Sequence, residues 1–207
     1  MTLTTPPSAP NRREPAWEIA RLFPNQGEWT EGDYLTLNRW TNRPVELADG
    51  QVEVLEMPTR THQRLVLRVR DEFRSFCEPR GLGEALVAPY PVRLREGKFR
   101  EPDIVFMLAE HADRFGEDFA DGADLVVEVV SEDRSRDLVT KRTEYAEAGI
   151  AEYWIVDPRE GRVMVLRLSG GTYVLHGEWG RGERAESALL PGFDIAVDRI
   201  FAAAEPR

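Results

Sequence analysis

Residues 101–107 read EPDIVFM and residues 124–145 read DLVVEVVSEDRSRDLVTKRTEY, and these two segments decide the fold. Each contains a short apolar run typical of a buried strand, and each run includes one carboxylate, Asp103 in the first and Glu128 in the second. A charge in a buried strand costs several kcal/mol unless it is paired or bound to a metal. The helix predicted to follow carries Lys141. Two such carboxylates and one lysine are the minimum parts of a site that binds a divalent cation and activates water.

The rest of the sequence predicts helices and strands on both sides of this centre. A period-3.6 apolar stripe predicts a helix from Thr59 or Thr61 to about Cys77. Hairpins are predicted at residues 45–55, with Asp-Gly at the turn, and at residues 163–176. Further strands are predicted at 84–88, 92–94 and 152–156, and further helices after Thr30, from Asp133 or Ser135 to about Ala148, and at 197–204. This order predicts an α/β (α+β) fold with a mixed sheet.

Length and composition indicate one domain. The chain has 207 residues, of which 42% are hydrophobic, which is enough for a single core. We expect a flexible N-terminal tail at residues 1–15, which are rich in Pro, Ser and Thr, and a single domain at residues 16–207. There is no apolar run of about 18 residues and no apolar segment of a secretory signal, so we expect no membrane span. The single cysteine excludes an internal disulfide and fits a cytoplasmic location.

The charge of the chain limits its possible partners. A net charge of -10 argues against a general nucleic-acid coat protein, because neutralising phosphates supplies most non-specific affinity. The charge is uneven, however, with a net +3 over residues 59–80 and a net -6 over residues 108–128. A basic face beside an acidic pocket is compatible with a metal-dependent nuclease and equally with ordinary surface variation. The three scattered histidines and one cysteine have no zinc-ligand spacing, and no P-loop or Gly-x-Ser-x-Gly motif is present.

The two carboxylates and the lysine fit the chemistry of phosphodiester hydrolysis. That reaction needs an activated water, a counter-charge for the phosphate and help for the leaving oxygen, and Mg²⁺ (or Mn²⁺) contributes to all three. If their strands are neighbours, Asp103, Glu128 and the backbone carbonyl of Val129 can bind one cation. Lys141 lies in an apolar helical stripe that continues to Tyr145, so it is expected to point towards the sheet. There Lys141 can orient the attacking water, and Tyr145 can hydrogen-bond to the same site.

Several motifs together resemble one nuclease family. They are EPD at residues 101–103, EVVS at 128–131, Lys141 followed by Tyr145, EYWIVDP at 152–158, and ELADGQVEVLEMPT at 46–59 with His62-Gln63 after it. This combination resembles the Uma-two-type restriction endonucleases of the PD-(D/E)XK nuclease superfamily, over about residues 25–200. The resemblance implies a restriction endonuclease-like fold, in which a four-stranded mixed sheet is flanked by helices, here with added hairpins. It also implies metal-dependent cleavage of DNA, with Asp103 and Glu128 as metal ligands.

One position departs from the superfamily pattern. The lysine expected two residues after the glutamate is Val130 in this sequence. In the family that this chain resembles, the lysine lies on the following helix, and Lys141 matches that position. The resemblance therefore implies a PD-(D/E)XK-type site with a displaced lysine.

Each main candidate also has an ordinary structural interpretation. Asp103 can be a residue that starts or caps a strand, and Glu128 can pair with an arginine such as Arg100. Lys141 can be a surface lysine whose aliphatic part is covered by its neighbours. These alternatives remain open at the level of the sequence.

The secondary candidates are equally open. Glu53 is either a third acid near the cation, and then a catalytic residue, or a strand charge that faces water. Tyr145 is either a site contact or a packing residue, and His62 is either at the rim of the site or a core histidine.

Two functions of different class follow. The first is a Mg²⁺-dependent endonuclease acting on DNA, with Asp103, Glu128, Lys141, Glu53 and Tyr145 as candidate catalytic residues. The second is a non-catalytic binding or assembly module that kept the nuclease fold. A homodimer is expected by analogy with nucleases that cut two strands, and the hairpin at 163–176 is a candidate dimer edge.

Overall fold

The computed structural model describes residues 23–204, so the tail expected at residues 1–15 lies outside the described residues. The helices and strands follow one another in this order: α1 (Glu31–Trp40), β1 (Val45–Ala48), β2 (Gln51–Val54), α2 (Arg60–Cys77), β3 (Gly83–Val87), β4 (Val92–Arg95), β5 (Lys98–Arg100), β6 (Ile104–Leu108), β7 (Ala120–Asp121), β8 (Leu125–Val129), a π-helical turn (Arg136–Thr140), α3 (Lys141–Glu147), β9 (Glu152–Asp157), β10 (Arg162–Ser169), β11 (Thr172–Trp179), β12 (Arg184–Glu186), β13 (Asp194–Ala196) and α4 (Val197–Ala202). Short 3₁₀ segments cover Glu78–Arg80 and Ala109–Arg114.

The main sheet has the strand order β11-β10-β9-β8-β6-β3. Its neighbouring strands are antiparallel except β8 and β9, which are parallel. A parallel pair requires a crossover connection, and the π-helical turn with α3 provides it. The strands β6 and β8 are neighbours, with Ile104 opposite Val127. This register meets the condition under which the two carboxylates can come together, and it places Asp103 and Glu128 at the same end of the sheet.

The remaining strands form smaller sheets beside the main one. A second sheet has the order β2-β1-β5-β4-β7, and β12 pairs with β13. The structure is therefore a mixed α/β fold, as predicted, in which the added hairpin β10–β11 extends the expected four strands to six. Residues 178–188, for which the sequence predicts no strand or helix, contain the end of β11 and all of β12. The strands β5, β7, β12 and β13 have only two or three residues each, too few for a period-2 pattern to identify.

Helix α2 packs on one face of the main sheet. Thr59 caps its N-terminus by accepting a hydrogen bond from the His62 backbone N–H, which confirms the predicted start of the helix. Its buried stripe consists of Leu65, Val66, Val69, Phe73 and Cys77. Phe73 contacts the rings of Phe106 and Trp154 across this face. Burial of one such aromatic side chain contributes about 1.5–3 kcal/mol, so the stripe fixes α2 against the sheet.

Helix α3 covers the opposite face. Side chains alternate along β8, so Val127 and Val129 face α2 while Val126 and Glu128 face α3. The Tyr145 ring of α3 lies edge-on to the Tyr153 ring of β9, with centroids 5.3 Å apart. Glu128 therefore points into the layer between the sheet and α3.

The helix between β8 and β9 contains an irregularity that the sequence did not predict. A continuous helix was expected from Asp133 or Ser135 to about Ala148, and the chain is helical from residue 134, but the helix widens into the π-helical turn before it continues as α3. Such turns contain one residue more than a regular helical turn and are frequent at functional sites. Within residues 23–204, none of the helices has the length and apolar character needed to cross a membrane.

Candidate active site

A cleft of about 770 Å³ opens at the end of the main sheet where Asp103 and Glu128 lie. The walls come from the β2–α2 connection, the start of α2, the residues before β6, the end of β8 and the π-helical turn. Lys141 and the Val129 backbone also line the cleft. The structure thus brings Asp103, Glu128, Val129 and Lys141 together around one cavity.

Glu128 is buried and held by two donors from α3. Its Oε1 lies 2.9 Å from the Lys141 Nζ and accepts a hydrogen bond of 2.6 Å from the Tyr145 hydroxyl. Burial raises the pKa of the Glu128 carboxyl, and the charge of Lys141 opposes that rise. Burial also raises the pKa of the Tyr145 hydroxyl, and the nearby Glu128 raises it further, so Tyr145 stays a proton donor. Glu128 pairs with Lys141 and not with Arg100, which pairs with Glu144 instead.

Lys141 is a buried cation surrounded by carboxylates. Only 5% of the residue is exposed, and its Nζ also lies 3.5 Å from the Asp137 carboxylate. Burial would lower the pKa of Lys141, but the charges of Glu128, Glu46 and Asp137 outweigh burial and raise it. Lys141 is therefore protonated at neutral pH, and the surface alternative for this residue does not apply.

Asp103 contacts β8 and α2. Its Oδ2 accepts a hydrogen bond of 2.8 Å from the Val129 backbone N–H and lies 3.2 Å from the His62 Nε2. The same ring nitrogen lies 3.2 Å from the Val129 carbonyl oxygen. Burial would lower the pKa of His62, but the contacts with Asp103 and the Val129 carbonyl outweigh it and raise the pKa. His62 therefore belongs to the site and bridges two of its expected metal ligands.

The π-helical turn positions Lys141 through Asp137. The buried Asp137 carboxylate accepts hydrogen bonds of 2.9 Å from both the backbone N–H and the side chain of Ser131. Tyr153 donates to the Asp137 backbone carbonyl at 2.8 Å. Asp137 thereby ties the end of β8, the turn and β9 to one another. In the sequence, Asp137 is marked only by its position four residues before Lys141, which places the two side chains on the same side of a helix.

Glu53 does not line the cleft. Its side chain is 45% exposed and forms an ion pair of 2.6 Å with Arg136. Its cross-strand partner Glu46 is completely buried and also pairs with Arg136, as well as with Arg100 at 3.3 Å. Glu46 also accepts a hydrogen bond from the Glu101 backbone N–H and helps to raise the pKa of Lys141, so it is the hairpin acid that acts on the site. Strand alternation could not identify it, because its burial arises from the long-range pairing of β1 with β5.

Glu101 is a further acid in the cleft that the sequence pattern did not single out. Glu101 is 5% exposed and lines the cavity together with Asp103 and Glu128. Its backbone N–H donates to the Glu46 carboxylate at 3.1 Å. Burial and the neighbouring Glu46 raise the pKa of Glu101 to about 8.

The donor set fits a hard divalent cation in its chemistry. Carboxylates and a backbone carbonyl are the ligands that Mg²⁺ prefers, and Mg²⁺ keeps several water ligands, so a few protein oxygens suffice. Asp103, Glu128 and the Val129 carbonyl supply such oxygens at one end of the sheet. As the side chains stand, no three His, Cys, Asp or Glu residues within 23–204 form a group that could hold a metal ion.

A family comparison matches most of the chain. The model of the Uma2 family, described as "Putative restriction endonuclease", matches residues 32–198. The chain belongs to the Uma2 family. The matched region includes α2, the cleft residues and all strands of the main sheet, so the candidate site lies inside the family domain.

Solved structures support the fold of this Uma2 protein. The crystal structure of a "putative nuclease belonging to DUF820" from Anabaena variabilis ATCC 29413 superimposes with a TM-score of 0.62 at 19% sequence identity. The superposition covers 80% of this chain and 93% of that chain. At this identity the likeness establishes the fold alone. No curated protein matches the chain significantly.

Proposed function

We propose that this Uma2 protein is a Mg²⁺- or Mn²⁺-dependent endonuclease that hydrolyses phosphodiester bonds in DNA. The observation that carries the proposal is the meeting of three groups at one cleft: Asp103, Glu128 and the buried cation of Lys141, 2.9 Å from Glu128. Burying Glu128 and Lys141 beside the partly exposed Asp103 in a strand-end cleft is costly for a purely structural purpose. In a nuclease, the two acids would bind a cation and Lys141 would contact the phosphate, so each group would have a function. The family description, a restriction endonuclease, suggests DNA as the substrate.

The roles of the residues follow from their protonation and contacts. Asp103, Glu128 and the Val129 carbonyl would hold the cation, which when bound lowers the pKa of water and offsets the charge that develops on the phosphate. Lys141 is protonated and cannot remove a proton from water, so its role is to orient the water or to donate to a phosphate oxygen. Tyr145 donates to Glu128 and fixes the orientation of that carboxylate. Glu53 has no role in this scheme, because its side chain does not line the cleft and is engaged in an ion pair with Arg136.

The test combines metal binding and plasmid nicking. Mn²⁺ is titrated by calorimetry into the wild type, Asp103→Asn, Lys141→Met and Glu132→Gln, and each protein is then incubated with supercoiled plasmid and Mg²⁺ or Mn²⁺. Glu132 is an exposed carboxylate of the same cleft and serves as the matched control. We expect Asp103→Asn to lose Mn²⁺ binding and nicking, Lys141→Met to lose nicking by at least about 100-fold, and Glu132→Gln to retain both. Nicking by purified, folded Asp103→Asn or Lys141→Met at the wild-type rate would refute the assignment.

A non-catalytic module is the second candidate, and one observation favours it. Asp103 and Glu128 both have protein partners in the structure, His62 with the Val129 N–H and Lys141 with Tyr145. A site that is satisfied internally needs no cation. Absence of Mn²⁺ binding by the folded wild type would therefore favour the module over the nuclease.

A further inference from the structure

Glu101 differs from the other buried acids in residues 23–204. It is 95% buried, yet neither its Oε1 nor its Oε2 has a hydrogen-bond partner in that part of the chain. The other buried carboxylates there each accept a hydrogen bond or form an ion pair. Glu46, which lies next to Glu101, has two arginine partners. The burial of Glu101 thus has no compensation among the described residues.

Protonation does not remove this deficit. A neutral carboxylic acid still requires an acceptor for its O–H and a donor for its carbonyl oxygen, and the described residues supply neither. A buried polar group without a partner costs about 1–3 kcal/mol, and a buried unpaired charge costs more. A group from outside the chain is the simplest source of the missing contacts.

The position of Glu101 points to the nature of that group. Glu101 lines the same cleft as Asp103 and Glu128, and only Pro102 separates it from Asp103. A residue that precedes a proline favours an extended backbone, in which residues two apart face the same side. Three carboxylates facing one cleft attract a hard cation more strongly than a neutral ligand.

We propose that Glu101 is a third carboxylate ligand of the divalent cation held by Asp103 and Glu128. This inference rests on the proposed function, because it assigns a further ligand to the same site. Asp103 and Glu128 must exchange or share their present contacts when a cation binds, whereas the Glu101 carboxylate has no described hydrogen bond to break. No three His, Cys, Asp or Glu side chains among residues 23–204 form a metal-binding group as they stand, so rotation of the Glu101 side chain is the least costly way to bring a third carboxylate to the site.

The experiment measures the metal alone and needs no nuclease activity. The wild type, Glu101→Gln, Glu101→Leu, Asp103→Asn and the control Glu132→Gln are titrated with Mn²⁺, and their thermal unfolding is followed with EDTA and with saturating Mn²⁺. We expect both Glu101 variants to raise the Kd for Mn²⁺ at least about tenfold and to show a smaller Mn²⁺-induced rise in Tm. Without metal, Glu101→Leu is expected to unfold at or above the wild-type temperature, because it removes an unsatisfied buried carboxylate.

Each outcome decides between specific interpretations. Unchanged Mn²⁺ affinity in folded Glu101→Gln, with binding lost in Asp103→Asn, would overturn the role of Glu101 and leave the proposed nuclease intact. An equal loss of affinity in Glu132→Gln would also overturn it, since the effect would then be general attraction by the acidic cleft. If the wild type does not bind Mn²⁺, both this inference and the proposed metal-dependent function fail.

Discussion

The buried Glu128 carboxylate contacts two donors, Lys141 and Tyr145. Whether Glu128 is charged determines how much these two contacts stabilise the folded protein. The Tyr145 hydroxyl donates to Glu128 at 2.6 Å, whereas the neighbouring Tyr153 hydroxyl donates at 2.8 Å to a neutral carbonyl, that of Asp137. Both tyrosines are completely buried, with rings 5.3 Å apart. This pair of tyrosines allows the charge on Glu128 to be measured.

We expect Tyr145→Phe to lower the free energy of unfolding more than Tyr153→Phe does. A hydrogen bond to a charged acceptor contributes about 1.5–3 kcal/mol, and a bond between neutral groups about 0.5–1.5 kcal/mol. Urea denaturation of the wild type and the two variants at pH 7 measures both losses. Equal losses would indicate that Glu128 is neutral in the folded protein, which would argue against the ion pair with Lys141.

The choice between the two hairpin glutamates also lies at the scale of the residue. Glu46 and Glu53 are cross-strand partners, and both contact Arg136, yet Glu46 is buried and Glu53 is exposed. Glu53 and not Glu46 was a candidate from the sequence, because the burial of Glu46 depends on the pairing of β1 with β5, which strand alternation does not reveal. The sequence predicted Asp103, Glu128 and Lys141 because each interrupts an apolar run, whereas Glu101 lies outside any run and could not be recognised in that way.

At the scale of the element, α3 is joined to β5 by a buried ion-pair group. Glu144 accepts hydrogen bonds of 2.7 and 2.8 Å from Arg100 and pairs with Lys98 at 2.8 Å. Burial would raise the pKa of the Glu144 carboxyl, but the hydrogen bonds from Arg100 and Lys98 outweigh burial and hold the pKa below its ordinary value of 4.5. The lowered pKa means that this carboxylate stabilises the folded state.

We expect Glu144→Gln to lower the free energy of unfolding by about 1.5–3 kcal/mol at pH 7. Because the folded pKa is depressed, the contribution is present above the ordinary pKa of 4.5 and is lost as the pH falls through the folded value. The difference between wild type and variant should therefore be constant from neutral pH down to about 5 and shrink below that pH. Denaturation at a series of pH values tests this, with the exposed Glu147→Gln on the same helix as the control. A difference that persists unchanged at pH 3 would contradict the ion pair.

The elements that the sequence predicted best are those with long periodic patterns. Helix α2 was predicted with its bounds, because eighteen residues carry a continuous stripe and Thr59 caps it. The π-helical turn before α3 could not be predicted, since its extra residue depends on the contacts of Asp137 with Ser131 and Lys141. Local propensity does not contain such tertiary contacts.

At the scale of the whole molecule, the fold class followed from the order of the elements, while the extent of the sheets did not. The second sheet depends on the distant pairing of β1 with β5. The hairpin β10–β11 was predicted, and β10 also pairs with β9, its neighbour in sequence. As a result β11 lies at the edge of the main sheet, paired with a strand on one side only among the described residues. Val174 and Leu175 are exposed on this strand, by 37% and 55%. An exposed apolar edge strand is a common site of pairing between chains.

We expect the protein to form a homodimer through β11, and charges at that edge to separate it. Val174→Lys combined with Leu175→Lys places two charges on the pairing strand, so a second strand can no longer approach without burying them. Sedimentation equilibrium should give twice the chain mass for the wild type and a single chain mass for the double variant. Trp40→Lys, at a residue that is 83% exposed on α1, is the matched control and should stay dimeric.

A monomeric wild type, or a double variant that remains dimeric, would show that β11 is not the dimer edge. If the nuclease activity is also present, the monomeric variant should nick plasmid but linearise it more slowly than the wild type, because two sites are needed to cut both strands together.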